Sequence, residues 1–395
     1  MSMNETASGQ RTHIAFFGRR NAGKSSLVNA ITNQSLSVVS DVAGTTTDLV
    51  KKAMEILPLG PVVIIDTPGL DDEGMLGELR VKKAREALGL ADIAVLVVDA
   101  GVGMGDYENE ILDMFKERKL PYVVVMNKKD IAGAEDSGAP EGARWVSALT
   151  GEGINELREI LGKMAPKNSP DKLIAGDLIE KGDTVVLVIP IDSSAPKGRI
   201  ILPQQNVLRE LLDINCKAFV CQDTELADTL DALKEPPALV ITDSQAFGKV
   251  QKIVPREIPL TSFSILFARY KGTLEALVEG SRVLKNLKDG DKVLIAEGCT
   301  HHRQCEDIGT VKIPMWIDKL VGAKPDFEWS SGNEFPEELG QYKLIIHCGA
   351  CVMTETQMKS RLERAKEAGV PVVNYGIAIA TMHGILDRSL EPVMK

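Results

Sequence analysis

Short, wholly apolar runs alternate along the chain with longer stretches in which apolar positions recur at helical spacing. The first four runs are Ile14-Ala15-Phe16-Phe17, Val62-Val63-Ile64-Ile65, residues 93–98 and residues 122–126. Runs of this length, rich in β-branched residues and lacking polar alternation, suit parallel strands buried on both faces. Between them the period changes. Residues 108–119 put apolar and charged positions on opposite sides of a helix. From His13 to Lys163 the order strand, glycine-rich turn, helix recurs. That order predicts one α/β domain over residues 1–165, built on an open parallel sheet.

A polar stretch with two prolines, Pro166 and Pro170, closes this domain. Beyond it, residues 185–189, 218–221 and 239–241 read as strands, and 204–212 and 226–233 as helices. This unit, residues 172–258, holds no recognisable catalytic set, and a small α/β unit without chemistry suits an assembly surface. A third unit, 259–395, begins near Pro259. Residues 274–286 read as a helix, 293–296 and 344–346 as buried strands, and 357–368 as a charged amphipathic helix. A strand at 371–373 and a final helix follow. Residues 324–339, rich in proline, glycine and acids, read as a loop.

Composition narrows the class. At 395 residues the chain has room for two or three cores. A net charge of −10 argues against a sequence-independent nucleic-acid binder, which needs a basic surplus to neutralise phosphates. No Lys/Arg run is interleaved with aromatics, and Trp145, Trp316 and Trp329 are scattered. Residues 1–10 lack the charged and apolar regions of a signal peptide. No apolar stretch is long enough for a bilayer. A cytoplasmic protein without membrane or nucleic-acid partners is expected, and its six cysteines then point to metal ligation or burial rather than disulfides.

The chemistry begins after the first strand. Gly18-Arg19-Arg20-Asn21-Ala22-Gly23-Lys24-Ser25 matches the P-loop pattern, with Ser26 continuing into the helix. Backbone N–H groups of such a turn cradle phosphates, Lys24 reaches the β- and γ-phosphates, and Ser25 ligates Mg²⁺. Asp66-Thr67-Pro68-Gly69 ends the second run. Asp66 there can hold the magnesium shell, and the Gly69 N–H can bond the γ-phosphate. Asn127-Lys128-Lys129-Asp130 ends the fourth run. A carboxylate at Asp130 accepts from guanine N1 and N2, which selects GTP, and Lys128 can pack over the base. Ser147-Ala148 follows a further strand, where the Ala148 N–H can bond guanine O6. All lie at strand carboxyl ends, where open α/β sheets bind ligands.

These segments resemble the translation-factor-related GTPases over residues 11–165, in the branch that includes ribosome-assembly and tRNA-modification GTPases. The resemblance implies a P-loop fold and hydrolysis of GTP to GDP and phosphate with Mg²⁺. Gly44-Thr45-Thr46-Thr47-Asp48 is similar to that branch's switch I. Thr46 is the choice for the threonine that closes on Mg²⁺, with Thr45 and Thr47 competing. The catalytic set is then Lys24, Thr46, Asp66 and Gly69. Leu70 stands where a water-orienting glutamine often sits in other GTPases, so slow intrinsic hydrolysis is expected. Asn21 matches an asparagine that helps related GTPases bind K⁺; an ordinary turn residue is the alternative.

Two cysteine motifs follow the strands of the third unit: Cys299-Thr300-His301 and His347-Cys348-Gly349-Ala350-Cys351. Two strand ends would bring three thiols and two imidazoles to one sheet edge, a set that suits a soft metal or an iron–sulfur cluster. C-x-x-C spacing alone also suits zinc or a redox dithiol. Zinc could take the three cysteines and one histidine in a closed tetrahedron. A [4Fe–4S] cluster could take the same thiolates and leave one iron for an exchangeable ligand.

C-x-H, then 45 residues between the two histidines, then H-C-x-x-C, behind a GTPase domain, resembles the [FeFe]-hydrogenase maturation GTPases along the whole chain. That resemblance implies a [4Fe–4S] cluster on Cys299, Cys348 and Cys351. It implies a scaffold and carrier that receives a diiron precursor from two radical-SAM maturases and transfers it to the apo-[FeFe]-hydrogenase. It also implies a middle unit that mediates dimerisation, giving a homodimer or higher assembly. The fourth cluster position stays open, with His301 and His347 as candidates and Cys305, Glu306 and Asp307 nearby. Cys216 and Cys221 are expected in the core, and His13 and His383 as ordinary histidines. The competing reading is a GTPase acting on ribosome or tRNA with a structural Cys/His zinc domain, against which the net charge counts. A third reading, a zinc-dependent hydrolase, is disfavoured because the chain lacks an H-E-x-x-H pair.

The Asn21 reading predicts that K⁺ raises GTP hydrolysis well above the rate in Na⁺. Steady-state phosphate release at matched ionic strength checks it, and equal rates in the two salts would remove K⁺ from the mechanism.

Overall fold

The computed structural model describes residues 9, 11–33, 49–67, 77–131, 139–166, 172–191, 200–298, 308–332, 334–349 and 353–394. The chain divides into two compact units, Met1–Lys167 with Thr354–Gln357, and Asn168–Met353 with Met358–Lys395.

The first unit runs β1 (Thr12–Phe17), α1 (Lys24–Thr32), β2 (Val50–Ile56), β3 (Gly60–Asp66), α2 (Gly77–Leu90), β4 (Ile93–Asp99), α3 (Asp106–Glu117), β5 (Tyr122–Asn127), β6 (Arg144–Trp145) and α4 (Ile154–Met164). Its sheet has the order β2-β3-β1-β4-β5-β6. The apolar runs behave as their pattern requires. Ala15, Phe17, Val63, Ile65 and Leu96 pack into a core on one face. Ile14, Phe16, Val62, Ile64, Val95 and Val97 pack into another core on the opposite face. The sheet departs from the all-parallel expectation at one edge. Strand β2 pairs antiparallel to β3, Val50 opposite Asp66. Its sequence explains this: Met54 and Ile56 are buried while Ala53 and Glu55 are exposed. Such alternation suits an edge strand with one face in water.

The second unit continues with β7 (Thr184–Val188), α5 (Leu202–Asp213), β8 (Lys217–Cys221), α6 (Leu226–Ala232), β9 (Leu239–Thr242), α7 (Phe247–Ile253), β10 (Leu260–Ser262), α8 (Phe263–Tyr270) and α9 (Leu274–Ser281). Then come β11 (Lys292–Ala296), α10 (Ile313–Val321), β12 (Asp326–Ser330), β13 (Leu344–His347), α11 (Glu355–Glu367), β14 (Val372–Asn374), α12 (Tyr375–Met382) and α13 (Leu386–Leu390). Two parallel four-stranded sheets result, ordered β10-β9-β7-β8 and β12-β11-β13-β14. One continuous hydrophobic core joins them, from Val185 and Leu187 through Phe263 and Leu277 to Ile295 and Ile346. The carboxylate of Glu210 fastens the start of this unit to α5 by accepting from the N–H groups of Ile174, Ala175 and Gly176.

Three expectations are corrected here. The presumed loop 324–339 contains strand β12, which pairs with β11 in register Val293 to Phe327 and Ala296 to Ser330. Phe327 and Trp329 alternate with Asp326 and Glu328, but Phe327 is only half-buried and Trp329 is exposed, so this edge strand carries no buried apolar run to set it apart from the acidic residues around it. The helix expected over 274–286 ends at Ser281 and tightens into a 3₁₀ turn over Arg282–Asn286. The single final helix is two, α12 and α13, parted by Gly384 at φ 69°. Among the described residues, no helix is long and apolar enough to cross a membrane.

Gly280 sets how closely α9 lies on β14. A Cβ there would stand 1.9 Å from the Val372 carbonyl oxygen and 2.6 Å from its carbon, and backbone cannot yield as a side chain can. Gly280→Ala should cost about 1–3 kcal/mol by overpacking. Urea unfolding checks this, and a variant as stable as the parent would contradict the contact.

Candidate functional site

The nucleotide residues converge at the carboxyl edge of the first sheet. Gly18 leaves β1 at φ 144°, where a Cβ would lie 2.1 Å from the Val97 carbonyl oxygen of β4. Only glycine lets the chain turn so close to that strand. Asn21 adopts φ 63°, a left-handed conformation that asparagine tolerates better than most residues. Gly23 follows at φ 90° and opens α1, whose first turn holds Lys24, Ser25 and Ser26. Lys24 Nζ donates to the carbonyls of Gly18 and Arg19 at 2.5 and 2.9 Å. Exposed Arg20 follows Arg19, and Arg19 Nη2 donates at 2.8 Å to Glu108, a buried carboxylate that also accepts from the Gly105 N–H.

Asp66 ends β3 beside this loop. Burial pushes its carboxyl above the usual carboxylate range, and the Lys24 ammonium acts against that. Thr67 turns the chain away, its hydroxyl donating to the Phe16 carbonyl at 2.7 Å. The base-reading residues are tied to the P-loop by Asn127. Its Nδ2 donates to the Ala22 carbonyl at 2.9 Å, and its Oδ1 accepts from the Ala148 N–H at 3.1 Å. Ser147 Oγ donates to Asp130 at 2.6 Å, and Lys128 Nζ to Asp99 at 2.5 Å. The structure therefore gathers Gly18, Lys24, Asp66, Asn127, Lys128, Asp130, Ser147 and Ala148 at one edge. Glu108 and Asp99, which steady Arg19 and Lys128, went unread because their partners lie far away in sequence. Thr45, Thr46, Thr47, Pro68, Gly69 and Leu70 lie outside the described residues.

The cysteine site is built on β11 and β13, which pair directly in parallel with Ala296 opposite His347. The Cys348 N–H donates to the Ala296 carbonyl at 2.9 Å. The Gly298 N–H in turn donates to Cys348 Sγ at 3.0 Å. The residue before Cys299 thus lies at the Cys348 sulfur. Cys299, His301, Cys305, Glu306, Asp307 and Cys351 lie outside the described residues. Among the described residues, no three His, Cys, Asp or Glu side chains form a metal-sized group.

Buried His347 is held at both ring nitrogens. Nδ1 lies 2.9 Å from the Cys348 carbonyl and Nε2 lies 2.8 Å from Arg361 Nη1. Arg361 comes from α11 and is itself buried. Burial pulls its guanidinium down to about 10, and the Cys348 thiolate opposes that. A helical charge pattern signals a solvated face, so nothing in the sequence marked Arg361. Away from both sites, Cys216 and Cys221 are buried, and burial pushes the Cys221 thiol up. His13 Nδ1 meets the Arg11 carbonyl at 3.0 Å, and His383 stands edge-on to Trp316.

Three family models match this chain. The 50S ribosome-binding GTPase model matches residues 13–128. The hydrogen maturase F dimerization domain matches residues 174–272, and the hydrogen maturase F tetramerization domain matches residues 275–392. The chain belongs to the hydrogen maturase F family. The two maturase domains together account for more than half of it and include the cysteine motifs.

Curated relatives match the GTPase part. The tRNA modification GTPase of Thiobacillus denitrificans is 40% identical over 149 residues, covering 37% of this chain and 32% of that protein. The GTPase Der of Mycoplasmopsis pulmonis is 30% identical over 185 residues, covering 42% of each. The chain thus spans less than half the length of these relatives. Among solved structures, Aquifex aeolicus Era bound to GDP and AlF₄⁻ is 24% identical, with a TM-score of 0.33, covering 53% of this chain and 93% of that one.

Asn127 joins the phosphate loop to the base loop through two hydrogen bonds. Asn127→Ala should weaken GDP affinity tenfold or more, a loss of about 1.4 kcal/mol or above. Titration with a fluorescent GDP checks this, and an unchanged Kd would show that the two loops hold their places without it.

Proposed function

We propose that this chain is a GTP-hydrolysing scaffold and carrier for [FeFe]-hydrogenase maturation. Residues 1–165 bind and hydrolyse GTP, 172–258 dimerise, and 259–395 hold a [4Fe–4S] cluster on Cys299, Cys348 and Cys351. The carrier receives a diiron precursor from the radical-SAM maturases and hands it to the apo-hydrogenase.

The observation that carries the cluster assignment is the parallel pairing of β11 with β13, with the Gly298 N–H on Cys348 Sγ. It supports bringing the two cysteine motifs to one point. A cluster held by three protein thiolates keeps one iron for an exchangeable ligand, which suits receipt and release of a cargo. This chain's part is to fix the thiolates, stabilise them with a backbone N–H, and hold Arg361 at His347, the neighbour of Cys348.

In the GTPase domain, Lys24 and the P-loop amides take the phosphates, while Ser25, Thr46 and Asp66 hold Mg²⁺. Gly69 bonds the γ-phosphate, and Asp130 and Ala148 read guanine. With Leu70 after Gly69, the intrinsic rate is slow, and K⁺ at Asn21 supplies transition-state charge. Edge strand β8 leaves Phe219 and Val220 about half exposed, which supports assembly through the middle unit as a homodimer or larger.

Anaerobic reconstitution with iron and sulfide tests this reading. The reduced protein should give the paramagnetic resonance signal of a [4Fe–4S] cluster, with about four irons per chain. Cys348→Ala should lose it, and Lys24→Ala should keep it while losing GTP turnover. A site that takes zinc tightly and refuses iron would favour a structural zinc domain instead.

A further inference from the structure

Helix α11 starts with a capping box. Thr354 Oγ1 accepts from the Gln357 N–H at 3.2 Å, and Gln357 Oε1 accepts from the Thr354 N–H at 3.1 Å. This fixes where the helix begins. Arg361 is 7% exposed. Its Nη1 meets His347 Nε2 at 2.8 Å, its Nη2 donates to the Gly332 carbonyl at 2.7 Å, and its guanidinium carbon lies 4.8 Å from the Phe335 ring centre. A guanidinium carries donors and no acceptor. His347 Nε2 must therefore accept, which puts the ring proton on Nδ1. That N–H donates to the Cys348 carbonyl at 2.9 Å.

A ligating imidazole needs a free lone pair, and His347 has none. The Nε2 pair is directed at Arg361, and Nδ1 carries the proton. To ligate through Nε2 the ring would have to leave Arg361, and the buried Nη1 donor would then stand without its acceptor. Losing one partner of a buried charged bond is the costly direction. The sequence spacing made His347 a candidate ligand; the contacts give it another role.

We propose that Arg361 is a positioning residue of the cysteine site: it withholds the His347 imidazole from ligating any metal, and it sets a fixed positive charge at His347, the neighbour of Cys348. The second half rests on the cluster reading above; the first does not. The imidazole passes the restraint to the carbonyl of Cys348 and so steadies the residue that bears the sulfur. The positive charge favours the more reduced, more negative state of a thiolate-bound cluster.

The full chain carries the test in two arms. Nitrogen NMR of metal-free protein labelled with ¹⁵N-histidine should show His347 as the Nδ1-protonated tautomer. The Nε2-protonated tautomer there would overturn the arrangement. In cluster-loaded protein, Arg361→Gln should move the midpoint potential to more negative values at unchanged iron content, and Arg361→Lys should stay near the parent. An unmoved potential in Arg361→Gln would overturn the charge role. Should Arg361→Gln fail to fold, pulsed resonance of the parent cluster decides. A histidine nitrogen coupling that vanishes in His347→Gln would make His347 a ligand and overturn the proposal, whereas a spectrum unchanged by His347→Gln would uphold it. A parent that takes up no iron and sulfide would overturn the cluster reading and with it the charge role, while the tautomer still decides the first half.

Discussion

Parallel pairing of buried strands is the constraint from which both sites follow. A parallel neighbour cannot be reached by a tight turn, so the chain must cross over and re-enter every strand from the same end. Every exit from a parallel strand then lies on one edge. In the first unit that edge collects the turn after β1, the end of β3, and the loops after β5 and β6. In the second it collects the segments after β11 and β13. Groups far apart in sequence meet there without any local signal joining them. Register sharpens the meeting: with Ala296 opposite His347, the next residues along each strand are Cys348 on one side and the approach to Cys299 on the other.

How much of this was legible in the sequence depended on where the information lay. Fully buried strands are written as apolar runs, and the four runs of the first unit all appear as strands. The P-loop was legible because its glycines answer to backbone geometry: Gly18 and Gly23 are places where a side chain collides with β4 and with Asn127. Strand β12 was hidden because, as an edge strand, it buries only Ser330, and the surrounding acids and prolines read as a loop. Arg361 was hidden for a deeper reason. A charge in a helix reads as solvated until tertiary structure shows that an imidazole, a carbonyl and an aromatic ring enclose it. The carboxylates at Glu108 and Asp99 are the same case, since only the fold supplies their partners.

Similar chemistry recurs at the two sites. In each, one cation is held by hydrogen bonds at the strand-exit edge. Lys24 stands beside Asp66 at the phosphate end, and Arg361 stands at the neighbour of Cys348 at the sulfur end. Neither cation is free to wander. Lys24 is hydrogen-bonded to two loop carbonyls, and Arg361 to a ring nitrogen and a carbonyl. A cation that is already hydrogen-bonded needs little reorganisation when its anion arrives, which is the advantage of a preorganised site.

The buried carboxyl of Asp66 has a consequence for the working cycle. Its proton affinity is higher in the folded chain than in the unfolded one. The folded state therefore loses stability as pH rises from the ordinary carboxylate value through the raised one, and the penalty is complete above that window. Above that window the domain folds around a negative charge it holds at a cost. A divalent cation at Asp66, as in the proposed magnesium site, would offset that cost in the folded form alone. Nucleotide thus acts as a brace as well as a fuel. On that proposed site, the first domain is less stable after nucleotide departs than while it is bound.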